Sequence, residues 1–334
     1  MPAHPANVVP WLYEVAVPVA SQSTAERERA SADALLVMLT RVTGLAHVPR
    51  TELIRNALAN AESFYSRFRF ADAADGGLDL VVHFDPQAIL ELQKRASLPI
   101  WRSARDRIVA WLVIEQNGVR SLVSTASTDP FTSTLVQRAR VRGLDLSLPL
   151  LDLEDQLKVT PAVVWGQLSQ VLEPASERYG ADVLLVGRLT GTTAADAAEE
   201  WHGEWELWLD NEVVPYQTSG ADLPALAIEV VDLLADDLAG RNAVLGTKSD
   251  QLQLAVSGIR SAADYGGLLH YLEALEFIDA VHVRALQGDR LSLDLLTRAD
   301  AEQLRTLFEA DGKLFTDQLA VFGLADLQLV WRQQ

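Results

Sequence analysis

The sequence predicts an α+β protein, partly α/β in character, built from three small layered modules over residues 11–100, 101–245 and 250–334. Three observations predict it. Apolar residues alternate over strand-length runs such as Trp11–Val19 and Leu78–Phe84, and recur at helical spacing at Leu35, Leu36, Met38, Leu39 and Val42. Between Ile108 and Leu189 strand and helix patterns alternate, which builds a mixed-sheet α/β sandwich. After Leu252 the order becomes β-α-β-β-α-β, that of a ferredoxin-like domain.

The first module opens with the alternating run Trp11–Val19, in which Pro18 marks an edge strand or a bulge. Ser23 and Glu26 have capping-box spacing and start a helix that ends at Gly44. A second helix is expected from about Thr51 to Tyr65. Leu78–Phe84 follows as a strand, and Asp85-Pro86 is an N-cap and first-turn pair for a helix through Ala96. Leu98-Pro99-Ile100-Trp101 connects to the second module.

That module is expected to hold a strand at Ile108–Ile114, a turn at Asn117-Gly118 and a helix at Phe131–Arg142. A short strand, a helix near Thr160–Tyr179 and the apolar strand Asp182–Leu189 come next. Gly191–Glu200 reads as a loop. The strands Trp201–Leu209 and Val213–Thr218 then precede a long helix, Asp222–Ala239. The apolar period lapses over Arg241–Ser249, which reads as a linker. In the third module Leu252–Ser257 is a strand and Ser261 caps a helix through Leu275. Phe277–Leu286 and Leu291–Leu296 form a hairpin across Gly288-Asp289, Asp300–Ala310 is helical, and Leu319–Trp331 contains the last strand.

Composition narrows the functions. A formal charge of −18 opposes general nucleic-acid binding, which depends on clustered Lys and Arg. With no cysteine among 334 residues, disulfides, zinc-thiolate sites and thiol catalysis are excluded. No apolar run has the ~18–20 residues needed to cross a bilayer. Met1 is followed by Pro2, His4 and Pro5, without the basic start or apolar stretch of a signal peptide. The protein is then either cytoplasmic or a mature form whose export segment has been removed.

Catalytic motifs are absent from the sequence. It has no Gly-x-Ser-x-Gly elbow, phosphate-binding loop or dinucleotide fingerprint, and the histidines (His4, His47, His83, His202, His270, His282) lack zinc-binding spacing. Asp145, Asp152, Glu154 and Asp155 offer carboxylate oxygens to a divalent cation. Their spacing is not that of a calcium loop, and acids at a helix start also complement its dipole. We expect no metal and no cofactor.

Charge is polarised along the chain. Lys94–Arg142 carries nine basic and three acidic residues, whereas Asp182–Asp237 carries thirteen acids and the single base Arg188. Either the two tracts face each other, or Arg102, Arg105, Arg107, Arg138, Arg140 and Arg142 form a basic side that steers a partner into place. Trp201 and Trp205 share one strand face and are expected in the core. Trp208, on the face of His202, Glu204 and Glu206, is the aromatic expected to meet a partner.

Several phrases carry a family resemblance: Tyr13-Glu14-Val15, Arg41-Val42-Thr43-Gly44, Leu98-Pro99-Ile100-Trp101, Leu148–Asp155 before Trp165-Gly166, and Arg178–Leu189. The set resembles the proteobacterial family catalogued as domain of unknown function 2066, over roughly residues 11–240. The resemblance implies an exported, periplasmic protein of the Gram-negative envelope with its signal peptide removed. In some genomes such genes sit beside one for a multi-spanning permease-like protein. The helix ending Tyr179-Gly180-Ala181-Asp182, followed by an apolar strand and Gly187-Arg188, is similar to a module of the TolB amino-terminal domain, lipoprotein activators of peptidoglycan synthases and flagellar assembly protein T. In those proteins the module makes protein contacts.

The expected function is therefore a non-enzymatic envelope adaptor or assembly factor with a protein partner, the permease-like protein being one candidate. The alternatives are a binder of a glycan or lipid fragment in a cleft between modules, and a hydrolase whose site the sequence does not display.

Overall fold

A computed structural model of the chain describes residues 7–73, 76–192, 200–209, 211–245, 248–316 and 325–332. The fold is α+β and comprises several small sheets. Two compact units emerge, and neither is continuous in sequence. One combines the stretch 10–103 with residues from 241 onward; the other combines 104–240 with the strand Asn7–Val8.

The N-terminal half of the first unit is a three-stranded antiparallel sheet, ordered Glu14–Val19, Leu78–Phe84, Tyr65–Asp72. Pro18 lies on the edge strand, where its missing N–H leaves no central ladder bond unmade. The helix Thr24–Thr43 packs Leu35, Met38 and Leu39 against Leu80, Val82 and Phe84. Ser23 caps it by accepting from the Glu26 amide at 3.3 Å, and Gly44 closes it at φ 74°. Arg41, in the last turn, is buried, and its Nη1 donates to the carbonyls of Leu12 and Glu14 at 3.2 and 2.7 Å. This guanidinium fixes the backbone leading into the first strand.

The helix expected over Thr51–Tyr65 is shorter, Glu52–Ala59 plus a 3-10 turn at Ala61–Phe64. Tyr65–Asp72, which the helical reading missed, is a strand. Arg67, Phe68, Arg69 and Phe70 alternate with period two, the signal that wins once Leu78–Phe84 supplies a ladder partner.

The C-terminal half is the ferredoxin-like domain. Its strands run in the order Ile278–Gln287, Arg290–Thr297, Asp250–Ser257, Leu327–Trp331, extended by an unforeseen edge strand, Leu314–Thr316. The helices Ala262–Glu273 and Ala301–Ala310 bury Leu268, Leu272, Leu304 and Phe308 with Leu254, Val256, Leu293 and Leu329 of the sheet. Residues 317–324 of the expected final segment lie outside the described residues.

Three features tie these halves into one unit. Ile100–Trp101 pairs antiparallel with Ala243–Val244, so the expected connector and the expected linker are partners in a ladder. Lys94 Nζ meets Asp279 at 2.6 Å, and Glu276 accepts from the Ser103 amide at 2.7 Å. Arg102 Nη1 lies 2.6 Å from Asp311 Oδ1 with both side chains buried, and Tyr271 donates to the other Asp311 oxygen at 2.5 Å.

The second unit is built on a mixed sheet in the order Glu212–Gly220, Glu200–Leu209, Val183–Thr192, Arg107–Gln116, Val119–Leu122. Val183–Thr192 runs parallel to Arg107–Gln116, as does the short strand Asp145–Ser147. Asn117 and Gly118, both at positive φ, make the two-residue turn between Gln116 and Val119. The helices Pro130–Arg142 and Leu223–Asn242 are joined to each other by ion pairs. A series of short helices supplies Val164, Leu172 and Ala175 to the sheet's other face, against Val109, Trp111 and Val186.

The helix expected near Thr160–Tyr179 is broken into Pro161–Trp165, Ser169–Ser176 and a 3-10 turn at Glu177–Tyr179. Gln167 at φ 51° turns the chain between the first two, a conformation that ends a helix. An additional helix, Leu153–Lys158, precedes them. Of the expected loop Gly191–Glu200, residues 193–199 lie outside the described residues.

Trp205 is buried as expected, and its indole lies flat across the backbone. A Cβ at Gly187 would sit 2.4 Å from Trp205 Cε3, and one at Gly203 would sit 2.5 Å from Nε1. Both positions therefore need glycine for contact reasons alone.

Two outcomes follow. Gly187→Ala should cost about 1–3 kcal/mol through overpacking, measured by urea unfolding of the full chain. Arg102→Met strands a buried carboxylate and should cost about 3–5 kcal/mol, whereas Arg102→Met with Asp311→Leu should cost clearly less.

Candidate functional site

The arginines singled out in the sequence do not form one exposed side. Arg102 belongs to the first unit and is buried against Asp311. The other five belong to the second unit. Arg105 is buried, and its Nε donates to the Gly143 carbonyl at 3.0 Å. Arg107 donates from Nη1 to the Tyr179 carbonyl at 3.3 Å and stands 3.8 Å from Asp145. Arg138 forks Asp232 with bonds of 2.9 and 2.6 Å. Arg142, none of whose side chain is exposed, reaches Asp232 and Asp236, both at 2.6 Å. Arg140 alone is exposed, in the last turn of Pro130–Arg142.

The basic and acidic tracts of the sequence thus meet inside this unit. Burial by itself would raise the Asp232 pKa, but the hydrogen bonds from Arg138 and Arg142 outweigh it and hold the carboxyl below its ordinary range. Trp201 and Trp205 are in the core. Trp208 is half-buried against the cluster of Trp111, Leu184 and Val186, with its indole N–H donating to Glu206 at 2.8 Å.

The acidic phrase is answered by the Arg178-Tyr179 phrase. Asp152 caps the helix Leu153–Lys158 by accepting from the Asp155 amide at 3.1 Å. Its carboxylate also takes two bonds from Arg178, at 2.8 and 2.7 Å. Asp155 is buried and accepts from the Leu151 amide at 2.9 Å, from Arg178 at 3.1 Å and from the Tyr179 hydroxyl at 2.5 Å. Tyr179 in turn accepts from the Leu150 amide at 3.0 Å. Arg178 draws the Asp152 pKa down to about 2. Burial, and next the bond to Asp155, push the Tyr179 hydroxyl up to about 12.

These carboxylates are satisfied by protein donors. Among the described residues no three His, Asp or Glu side chains are grouped to hold a metal ion.

Together Arg178 and Tyr179 lock Asp152 and Asp155 in place, and this lock sets the orientation of Leu153–Lys158. Asp155 is its one buried residue, so the helix is inside-out: a carboxylate faces inward and leucines face solvent. Leu153 and Leu157, one turn apart, are 73% and 78% exposed. Leu150 before the helix is 54% exposed, and Leu168 at the start of Ser169–Ser176 is 48% exposed. Scattered exposed leucines are ordinary; here the pair stands outward on a helix whose inward group is a buried, hydrogen-bonded carboxylate. No local sequence signal marks this arrangement, because Arg178 and Tyr179, which bond to the inward Asp155, lie 23 and 24 residues along the chain.

The family described as domain of unknown function (DUF8605) matches residues 6–102, less than half of the chain. This is a different family from the 2066 family of the resemblance described above, although Tyr13–Val15, Arg41–Gly44 and Leu98–Trp101 lie within the matched stretch. No curated protein matches the chain. Among solved structures, a competence or damage-inducible protein from Enterobacter asburiae is similar at 14% identity and a TM-score of 0.21, over 40% of this chain and 86% of that one.

The lock predicts a pH profile. The folded Tyr179 pKa lies above its ordinary value of 10, so its stabilisation is complete below pH 10 and is lost as the pH rises toward about 12. Tyr179→Phe should flatten the fall in melting temperature over that window relative to the parent chain.

Proposed function

We propose that the protein is a non-enzymatic adaptor or assembly factor of the cell envelope, acting in the periplasm by binding a protein partner through the inside-out helix Leu153–Lys158. The observation that carries this reading is the outward pair Leu153 and Leu157 above a buried carboxylate. Burying each leucine against a partner contributes about 1.5–3 kcal/mol, and the rim of Asp152, Glu154 and Lys158 already has its charges matched. A partner need supply only an apolar face and no compensating charge.

The envelope assignment rests on the resemblance of the Leu148–Asp155 and Arg178–Leu189 phrases to exported proteins. A permease-like membrane protein is one candidate partner. Among the described residues no helix is long and apolar enough to cross a membrane.

A photo-crosslinker at Leu157 in cells should yield one discrete envelope adduct, absent when the probe replaces Val119, which is also exposed. Identical adduct patterns at both positions, or none at Leu157, would sink the proposal. Leu153→Asp with Leu157→Asp should abolish the adduct from a probe at Leu150 while changing stability by no more than about 0.5 kcal/mol.

A further inference from the structure

We infer that the face of the ferredoxin-like sheet bearing Ser292 and Asp294 holds a second site, for a small carboxylic acid that also carries a hydrogen-bond donor: an amino or hydroxy acid. The register places Ala255 beside Ser292 on one side and Gln328 on the other. Two small side chains therefore sit at the centre of this face, and longer ones stand around them. The result is a hollow of about 280 Å³, with Gln253 and Asp294 along one wall and Arg284, Arg290 and Gln328 along the rest.

Two features distinguish this hollow from an ordinary solvated sheet face. Asp294 is 8% exposed, and only its Oδ2 is engaged, by Arg284 Nε at 2.5 Å; its Oδ1 is buried with no hydrogen-bond partner among the described residues. A buried acceptor without a donor is destabilising, and a donor brought by a ligand would satisfy it. Arg290 has no ion-pair partner among the described residues, and Arg284 keeps its terminal nitrogens beyond the bond to Asp294.

Ser292 lies between Arg290 and Asp294 on the same strand and the same face. A carboxylate above Ser292 would take guanidinium hydrogens from Arg284 and Arg290, while an ammonium or hydroxyl on the same ligand donates to Asp294 Oδ1. Neither half of such a molecule would meet both needs alone.

The test is calorimetric titration of the full chain with three sets of millimolar probes: the protein amino acids, their 2-hydroxy counterparts, and the simple carboxylates that lack the donor. A member of the first or second set should bind, and which set binds identifies the donor as ammonium or hydroxyl. The matching simple carboxylate should bind at least about tenfold more weakly for want of one charge-assisted bond. Ser292→Leu fills the floor from the solvent side and should abolish binding while circular dichroism and melting temperature stay unchanged. Silence from both donor-bearing sets, equal binding of the simple acid, or binding unaffected by Ser292→Leu would each overturn the inference.

Discussion

The buried contact of Arg102 with Asp311 and Tyr271 is the constraint on which the first unit depends. It joins residues 209 positions apart, next to the ladder between Ile100–Trp101 and Ala243–Val244. Closing so long a loop costs only slowly more than closing a short one, because the entropy grows with the logarithm of length. Desolvating a guanidinium and a carboxylate is the larger cost, and the Tyr271 hydroxyl helps offset it by satisfying the second carboxylate oxygen. Burial, and then the adjacent Asp311 charge, drive the Tyr271 pKa upward, so the hydroxyl stays a donor throughout the physiological range.

The second unit uses the same chemistry for another end. Arg138 and Arg142 reach across from one helix to Asp232 and Asp236 on another, and Arg178 collects Asp152 and Asp155. The two tracts that the sequence segregates meet in the fold where Arg138 and Arg142 pair with Asp232 and Asp236. What remains prominent on the helical layer is apolar: Leu153 and Leu157 on a helix turned outward because its inward side is a carboxylate. A partner docking on such a face, as proposed above, would depend on shape and desolvation more than on long-range steering.

Much of this architecture was legible residue by residue. Ser23, Asp85, Ser261 and Asp300 announced their helices because a side-chain oxygen at the N-cap is a local interaction. Asn117-Gly118 and Gly288 announced their turns because positive φ is a local requirement. Tyr65–Asp72 was missed because its alternation is short and follows a helical segment, and only the strand Leu78–Phe84 decides between the two. The site was the least legible part. Nothing near Asp155 in sequence tells that it is buried, since the groups that satisfy it, Arg178 and Tyr179, come from another helix.

The sequence by itself determined the fold class, the β-α-β-β-α-β order of the last domain, the caps and turns, and the absence of thiol chemistry. These follow from periodicity and from interactions spanning a few residues. The tertiary structure alone decided that residues 10–103 share a unit with the chain beyond 241, that Arg142 is an internal counter-ion, and that Leu153 and Leu157 face solvent. Each of those depends on a partner many residues away. A charged or apolar side chain has no inside or outside until the fold brings that partner to it.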